Sequence, residues 1–170
     1  RFKRIAYAAS FGIEELPAEL NDNFKEWLLG MNYISTREEA GQKLIQELTN
    51  IDSTVLVDPT LMLSKEQWKS ISKVSEHKPT NKYILTYFLG DTTIERIRFI
   101  KQCSKEYNCE IINLSSIFDL ALYSIDPSEF IDFFNSACII CTDSYHGIIF
   151  SILFEKPFMD SKVKTRSVTQ

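Results

Sequence analysis

Short apolar runs rich in β-branched and aromatic residues recur along this chain, with amphipathic helical patterns between them. Such alternation constrains the fold tightly. Parallel strands cannot be joined by a hairpin, so strand–helix–strand order predicts parallel sheets with helices on both faces. The spacing predicts strands at 5–9, 33–36, 54–57, 83–89, 110–114 and 138–142, with a last short one from Pro157-Phe158. A helix is predicted over 18–29, where Phe24, Trp27, Leu28 and Met31 share one face. A second, over 38–49, carries Ala40, Leu44, Ile45 and Leu48. Capping-box patterns at Ser64/Gln67 and Thr92/Glu95 start two more, and Asp126-Pro127-Ser128-Glu129 starts another with proline at its first position. The stretch 144–154 is apolar nearly all round, which predicts a buried helix.

The polar, proline-containing stretch 73–81 breaks this alternation and reads as a linker. The expected division is therefore 1–72, a linker at 73–81, and 82–170. His77, inside the linker, reads as solvated. The chain opens on Arg1, runs at once into a strand and ends in a polar stretch, so we expect an internal piece of a longer protein. Apolar residues are 44% of the sequence and charged residues 25%, with twelve phenylalanines to build a core. A net charge of −4 predicts no nucleic-acid partner. No apolar run approaches the ~20 residues of a membrane span. Cys138-Ile-Ile-Cys141 has the spacing of a redox or zinc pair, yet it lies in a strand, where residues three apart point to opposite faces. Reduced, buried cysteines behaving as small hydrophobes are expected, and no metal site.

In open α/β sheets ligands bind beyond the carboxyl ends of the strands. Three of the five glycines fall there: Gly12, Gly90 and Gly147. Each serves turn geometry, close approach of a ligand, or both. His146 lies in the first turn of a helix, just after the polar group Thr142-Asp143-Ser144. That turn offers backbone N–H groups to an anion, and Asp143 and Ser144 also suit helix caps. Arg37 follows a strand in Ser35-Thr36-Arg37-Glu38-Glu39. It either pairs with Glu38 or Glu39 on the surface or clamps a phosphate or carboxylate, which its planar fork suits. Asp58-Pro59 closes a strand as a rigid turn.

Together these stretches resemble the polysaccharide pyruvyl transferase family. The matching segments are Tyr7-Ala8-Ala9-Ser10-Phe11-Gly12, Ile34-Ser35-Thr36-Arg37-Glu38 with Gly41, and Val57-Asp58-Pro59-Thr60-Leu61-Met62-Leu63 with Trp68. Tyr83-Ile84-Leu85-Thr86-Tyr87-Phe88-Leu89-Gly90, Ser128-Glu129-Phe130, and Thr142-Asp143-Ser144-Tyr145-His146-Gly147 through to Lys156-Pro157-Phe158 complete the set. Some members carry an arginine near the position of Ser144. The resemblance implies Rossmann-like parallel sheets in a glycosyltransferase-B-like arrangement, incomplete in this chain. It implies transfer of a pyruvyl group from phosphoenolpyruvate to a sugar of a cell-surface or capsular polysaccharide precursor, forming a ketal. It calls for no cofactor, a lipid-linked or nucleotide-linked sugar acceptor, and a cytoplasmic location at the inner face of the membrane. By the same resemblance His146 and Arg37 are catalytic, on opposite sides of a cleft. Ser10, Gly12, Gly90, Asp143, Ser144, Tyr145 and Gly147 bind substrate. The competing reading is a glycosyltransferase-B-like domain that binds a sugar or nucleotide without pyruvyl transfer, with a Cys138/Cys141 redox domain as a third.

Overall fold

The apolar runs pair as parallel strands in two separate sheets of a computed structural model that describes residues 2–160. The chain divides into two compact units between Met62 and Leu63.

The first unit contains β1 (Ile5–Ala9), α1 (Asn21–Leu29), β2 (Tyr33–Thr36), α2 (Glu39–Thr49) and β3 (Thr54–Val55), with a short 3-10 turn before α1 and another, Pro59–Met62, after β3. Its sheet runs in the order β1-β2-β3. Each crossover moves one strand in the same direction, and right-handed crossovers then put both helices on one face. Accordingly α1 packs on α2. Leu44 and Ile45 of α2 are buried, while Ile5 and Tyr7 of β1 stay exposed. Helices thus cover one face of this sheet among the described residues, where the sequence pattern predicts both.

The second unit contains α3 (Lys65–Ile71), β4 (Tyr83–Tyr87), α4 (Ile94–Tyr107), β5 (Glu110–Asn113), α5 (Leu120–Tyr123), α6 (Pro127–Ser136), β6 (Ile139–Thr142), α7 (Tyr145–Leu153) and β7 (Phe158–Asp160). The strand order is β5-β4-β6-β7. The chain steps from β4 to β5, then returns to the other side of β4 for β6. That reversal sends α4 to one face and α6 and α7 to the other. Both faces are therefore filled. Tyr83, Leu85 and Ile140 join Phe133, Phe134, Phe150 and Phe154 in one cluster. Ile84, Phe88 and Cys141 join Ile100 and Cys109 in another. Five of the twelve phenylalanines lie in or against the first cluster, where Phe130, Phe134 and Phe150 lie within 4.5 to 6.1 Å of one another.

The caps form as their residues dictate. Ser64/Gln67 and Asp126/Glu129 each make both reciprocal bonds of a capping box, and Pro127 opens α6. At α4 the cap is Thr93 rather than Thr92, because its hydroxyl accepts from the Arg96 amide.

The unit boundary falls upstream of the 73–81 stretch. Trp68 on α3 packs edge-on against Phe150 at 5.2 Å, which brings α3 into the second unit. The 73–81 stretch follows it. Lys78 Nζ donates to the nearly buried Asp132 at 2.5 Å and to Ser136 at 3.0 Å, and the Lys73 amide donates to the Ser128 carbonyl. Lys78 thus ties the stretch to α6, while Lys73, Glu76, Thr80 and Asn81 are exposed. His77 is exposed, beside Glu76.

Candidate active site

Strand reversal in a parallel sheet opens a crevice at the carboxyl ends of the two strands that flank it. In the second unit these are β4 and β6, whose ladder ends at Tyr87 opposite Thr142. The corner that follows β6 is built on Thr142, which is fully buried. Its hydroxyl donates to the Tyr87 carbonyl at 2.6 Å and accepts from the Ser144 amide at 3.0 Å. Ser144 caps α7 by accepting from the Gly147 amide at 3.3 Å. Gly147 lies so close to Thr142 that an added Cβ would stand 2.5 Å from the threonine Oγ1. Asp143 turns towards β4, accepting from the amides of Leu89 at 2.7 Å and Gly90 at 3.2 Å.

What this frame presents outward is the first turn of α7. Tyr145 and His146 are both exposed, and their rings meet edge to face at 5.4 Å. The corner thus sorts the residues of the motif. Thr142, Ser144 and Gly147 are buried supports, and His146 and Tyr145 are the groups a ligand can reach.

The first unit carries a corner of the same plan after β2. Thr36 is fully buried, and a Cβ on Gly41 would lie 3.3 Å from its side chain and 3.1 Å from Phe11. Between them stand Arg37 and Glu38. The Arg37 amide donates to the Ala9 carbonyl at 3.0 Å, and Glu38 accepts from the Phe11 amide at 2.7 Å. The Arg37 guanidinium pairs with Asp58, whose side chain is 3% exposed and also accepts from the Thr60 amide at 2.9 Å. Arg37 thus has a carboxylate partner distant in sequence, Asp58 after β3. Roughly a quarter of the arginine side chain remains exposed, at 23%. Upstream, Ser10 Oγ accepts from the Gly12 amide at 3.1 Å, and Gly12 takes a φ of 67°. A bulge between Ala6 and Ala9 forces Ala8 to a φ of 45°. Ser35 stabilises this irregular stretch by accepting from the Ala8 amide and donating to the Ala6 carbonyl.

The predicted residues therefore collect at two places. Gly90 and residues 143–147 lie at the carboxyl ends of β4 and β6, and Ser10, Gly12 and Arg37 at those of β1 and β2. Sequence reasoning missed the latching role of Glu38 and the pairing of Asp58. A carboxylate one or two residues past a buried strand-end threonine is the signal common to Asp143 and Glu38.

The cysteines gather in the core on the face that α4 covers, with Cys109 and Cys141 buried and Cys103 and Cys138 packed against them. All four are free thiols. Burial pushes the Cys141 thiol up to about 12, and burial raises Cys103 and Cys109 as well, the latter with help from Cys138. Protonated thiols are poor nucleophiles, which disfavours a redox role for this cluster. Among the described residues no group of three or more His, Cys, Asp or Glu side chains is arranged to hold a metal.

Two Rossmann-like parallel sheets with polar groups gathered at their carboxyl ends define an α/β fold of the ligand-binding class. The model of the family described as polysaccharide pyruvyl transferase matches residues 1–159 of the 170. This chain belongs to that family, and it is a transferase. No curated protein matches it. No helix among the described residues is long and apolar enough to cross a membrane.

Proposed function

We propose that this protein moves the pyruvyl unit of phosphoenolpyruvate onto a sugar of a cell-surface or capsular polysaccharide precursor, as a ketal. Support comes first from the family, whose members take a sugar acceptor. The observation that carries the reading is the corner after β6, where a buried frame holds His146 exposed at the switch point of the sheet.

The chemistry fits the residues. The donor brings a carboxylate and a phosphate, which call for a guanidinium and for backbone N–H groups. Its methylene carbon takes a proton and becomes a methyl group, leaving C2 electrophilic. A sugar hydroxyl oxygen bonds to C2, and a second hydroxyl replaces the phosphate. The two hydroxyl protons balance those gained by the methyl group and the departing phosphate. In this scheme Arg37, oriented by Asp58, holds the donor's charge. His146 is the general acid, acting on the methylene carbon or on the departing phosphate. Tyr145 beside it offers an aromatic edge to the sugar. No cofactor is needed. Phosphoenolpyruvate is an intracellular metabolite, which favours a cytoplasmic site of action, at the inner membrane face where the acceptor is lipid-linked.

The test is incubation with phosphoenolpyruvate and a panel of lipid-linked and nucleotide-linked sugars in deuterated water. The expected result is ketal and phosphate in equal amounts, with one deuterium in the ketal methyl. Sugar or nucleotide binding without ketal would favour the domain that binds but does not transfer.

A further inference from the structure

Past the last rung of the β4–β6 ladder, nothing in the backbone obliges the two chains to stay together. The β4 chain continues through Phe88 into Leu89 and Gly90. Phe88 is buried, but its amide reaches only Ser115 Oγ at 3.4 Å. Leu89 is 68% exposed, and Gly90 has no side chain to pack. Burial therefore does not hold this loop. What holds it is Asp143, one oxygen on each of two successive amides, at 2.7 Å and 3.2 Å. Carboxylate bonds to backbone N–H groups are charge-assisted and about twice as strong as neutral ones.

We infer that Asp143 is a positioning residue, which latches the Leu89–Gly90 loop to the first turn of α7 and so sets the wall of the crevice beside His146. Its two oxygens complete a backbone pairing that the ladder has stopped supplying. The first unit uses the same device, since Glu38 accepts from the Phe11 amide beyond the β1–β2 ladder. This assigns Asp143 to the loop rather than to the donor or to a proton. The inference rests on the proposed reaction only for its kinetic consequence.

The experiment is amide hydrogen exchange on the full chain, wild type against Asp143→Asn and Asp143→Ala. Asparagine keeps the shape but offers one acceptor in place of two; alanine offers none. Exchange at Leu89 and Gly90 is expected to quicken about tenfold or more, with Ile84 and Leu85 of β4 unchanged. Should Asp143→Ala fail to fold, Asp143→Asn carries the comparison alone. Unchanged exchange at both amides in a folded variant overturns the latch. In the pyruvyl transfer assay, Asp143→Asn is expected to lower kcat about tenfold while the pH profile keeps its shape. Loss of one limb of that profile would make Asp143 a proton carrier and overturn the inference. A wild-type protein inactive towards phosphoenolpyruvate would count against the proposed reaction and leave the exchange result standing.

Discussion

The corner after β2 and the corner after β6 begin and end alike. Each starts on a fully buried threonine, Thr36 or Thr142, and closes five positions on at a helical glycine packed against it, Gly41 or Gly147. Each uses a carboxylate in between to bond the neighbouring loop, Glu38 on one amide and Asp143 on two. They differ in what they present. The first holds a cation through a partner on a third strand end, Asp58. The second holds a histidine at a helix start capped by Ser144. One frame therefore supports two chemistries, and the residues that vary inside it, Arg37 and His146, are those the proposed reaction would use.

This contrast can be broken in graded steps. The largest effect on stability is expected from Arg37→Ala, which leaves the Asp58 carboxylate buried without its cation. Removing one member of a buried pair costs about 3–5 kcal/mol, and the arginine's partial exposure puts this case near the lower figure. Denaturant unfolding measures it; a loss below about 1 kcal/mol would make the pair a surface contact. His146→Ala, by contrast, is expected to change stability little, because the ring is exposed.

Next comes Gly147→Ala set against Gly41→Ala. The new methyl at Gly147 meets Thr142 Oγ1 at 2.5 Å, and Thr142 can yield only by giving up its bonds to Tyr87 and Ser144. Overpacking of this kind costs about 1–3 kcal/mol. At Gly41 the closest atom is 3.1 Å away, and the gain of about 1 kcal/mol in helix propensity offsets the crowding. Equal losses at the two glycines would mean that the corners are not distinguished by packing.

A smaller effect is expected from Ser144→Ala. It removes a side-chain cap, worth about 1 kcal/mol. The helix of the first corner has no such cap, because Glu38 occupies that position without a capping bond. A shift of the unfolding midpoint with unchanged slope is the expected signature.

The last effect shows only in alkali. The Cys141 thiol rises from its ordinary value of 9.0 to about 12 in the fold. A raised value means that the folded state keeps the proton which the unfolded chain gives up. The stability from this thiol is complete below pH 9 and is lost as pH climbs through 12. Cys141→Ala is expected to flatten that decline, and a decline of the same steepness would place its cause elsewhere.

Much of this was legible locally. The alternation of periods yields the parallel sheets, and Ser64/Gln67 and Asp126/Glu129 mark helix starts to the residue. What escaped depends on partners far along the chain. Asp143 and Leu89 are 54 positions apart, and Lys78 and Asp132 also 54, so neither the latch nor the docking of the 73–81 stretch has a local sign. The four residues of α5 are too few to show a period. The bulge at Ala8 is likewise hidden, since alanine does not announce a positive φ. The repeat shared by the corners escapes because it consists of one threonine and one glycine at fixed spacing.

The direct test of the central claim is acceptor-dependent phosphate release from phosphoenolpyruvate by wild type and by His146→Ala. Removing a general acid is expected to lower the rate about 10²- to 10⁴-fold, with the unfolding midpoint unmoved. A variant that releases phosphate at the wild-type rate would contradict the account.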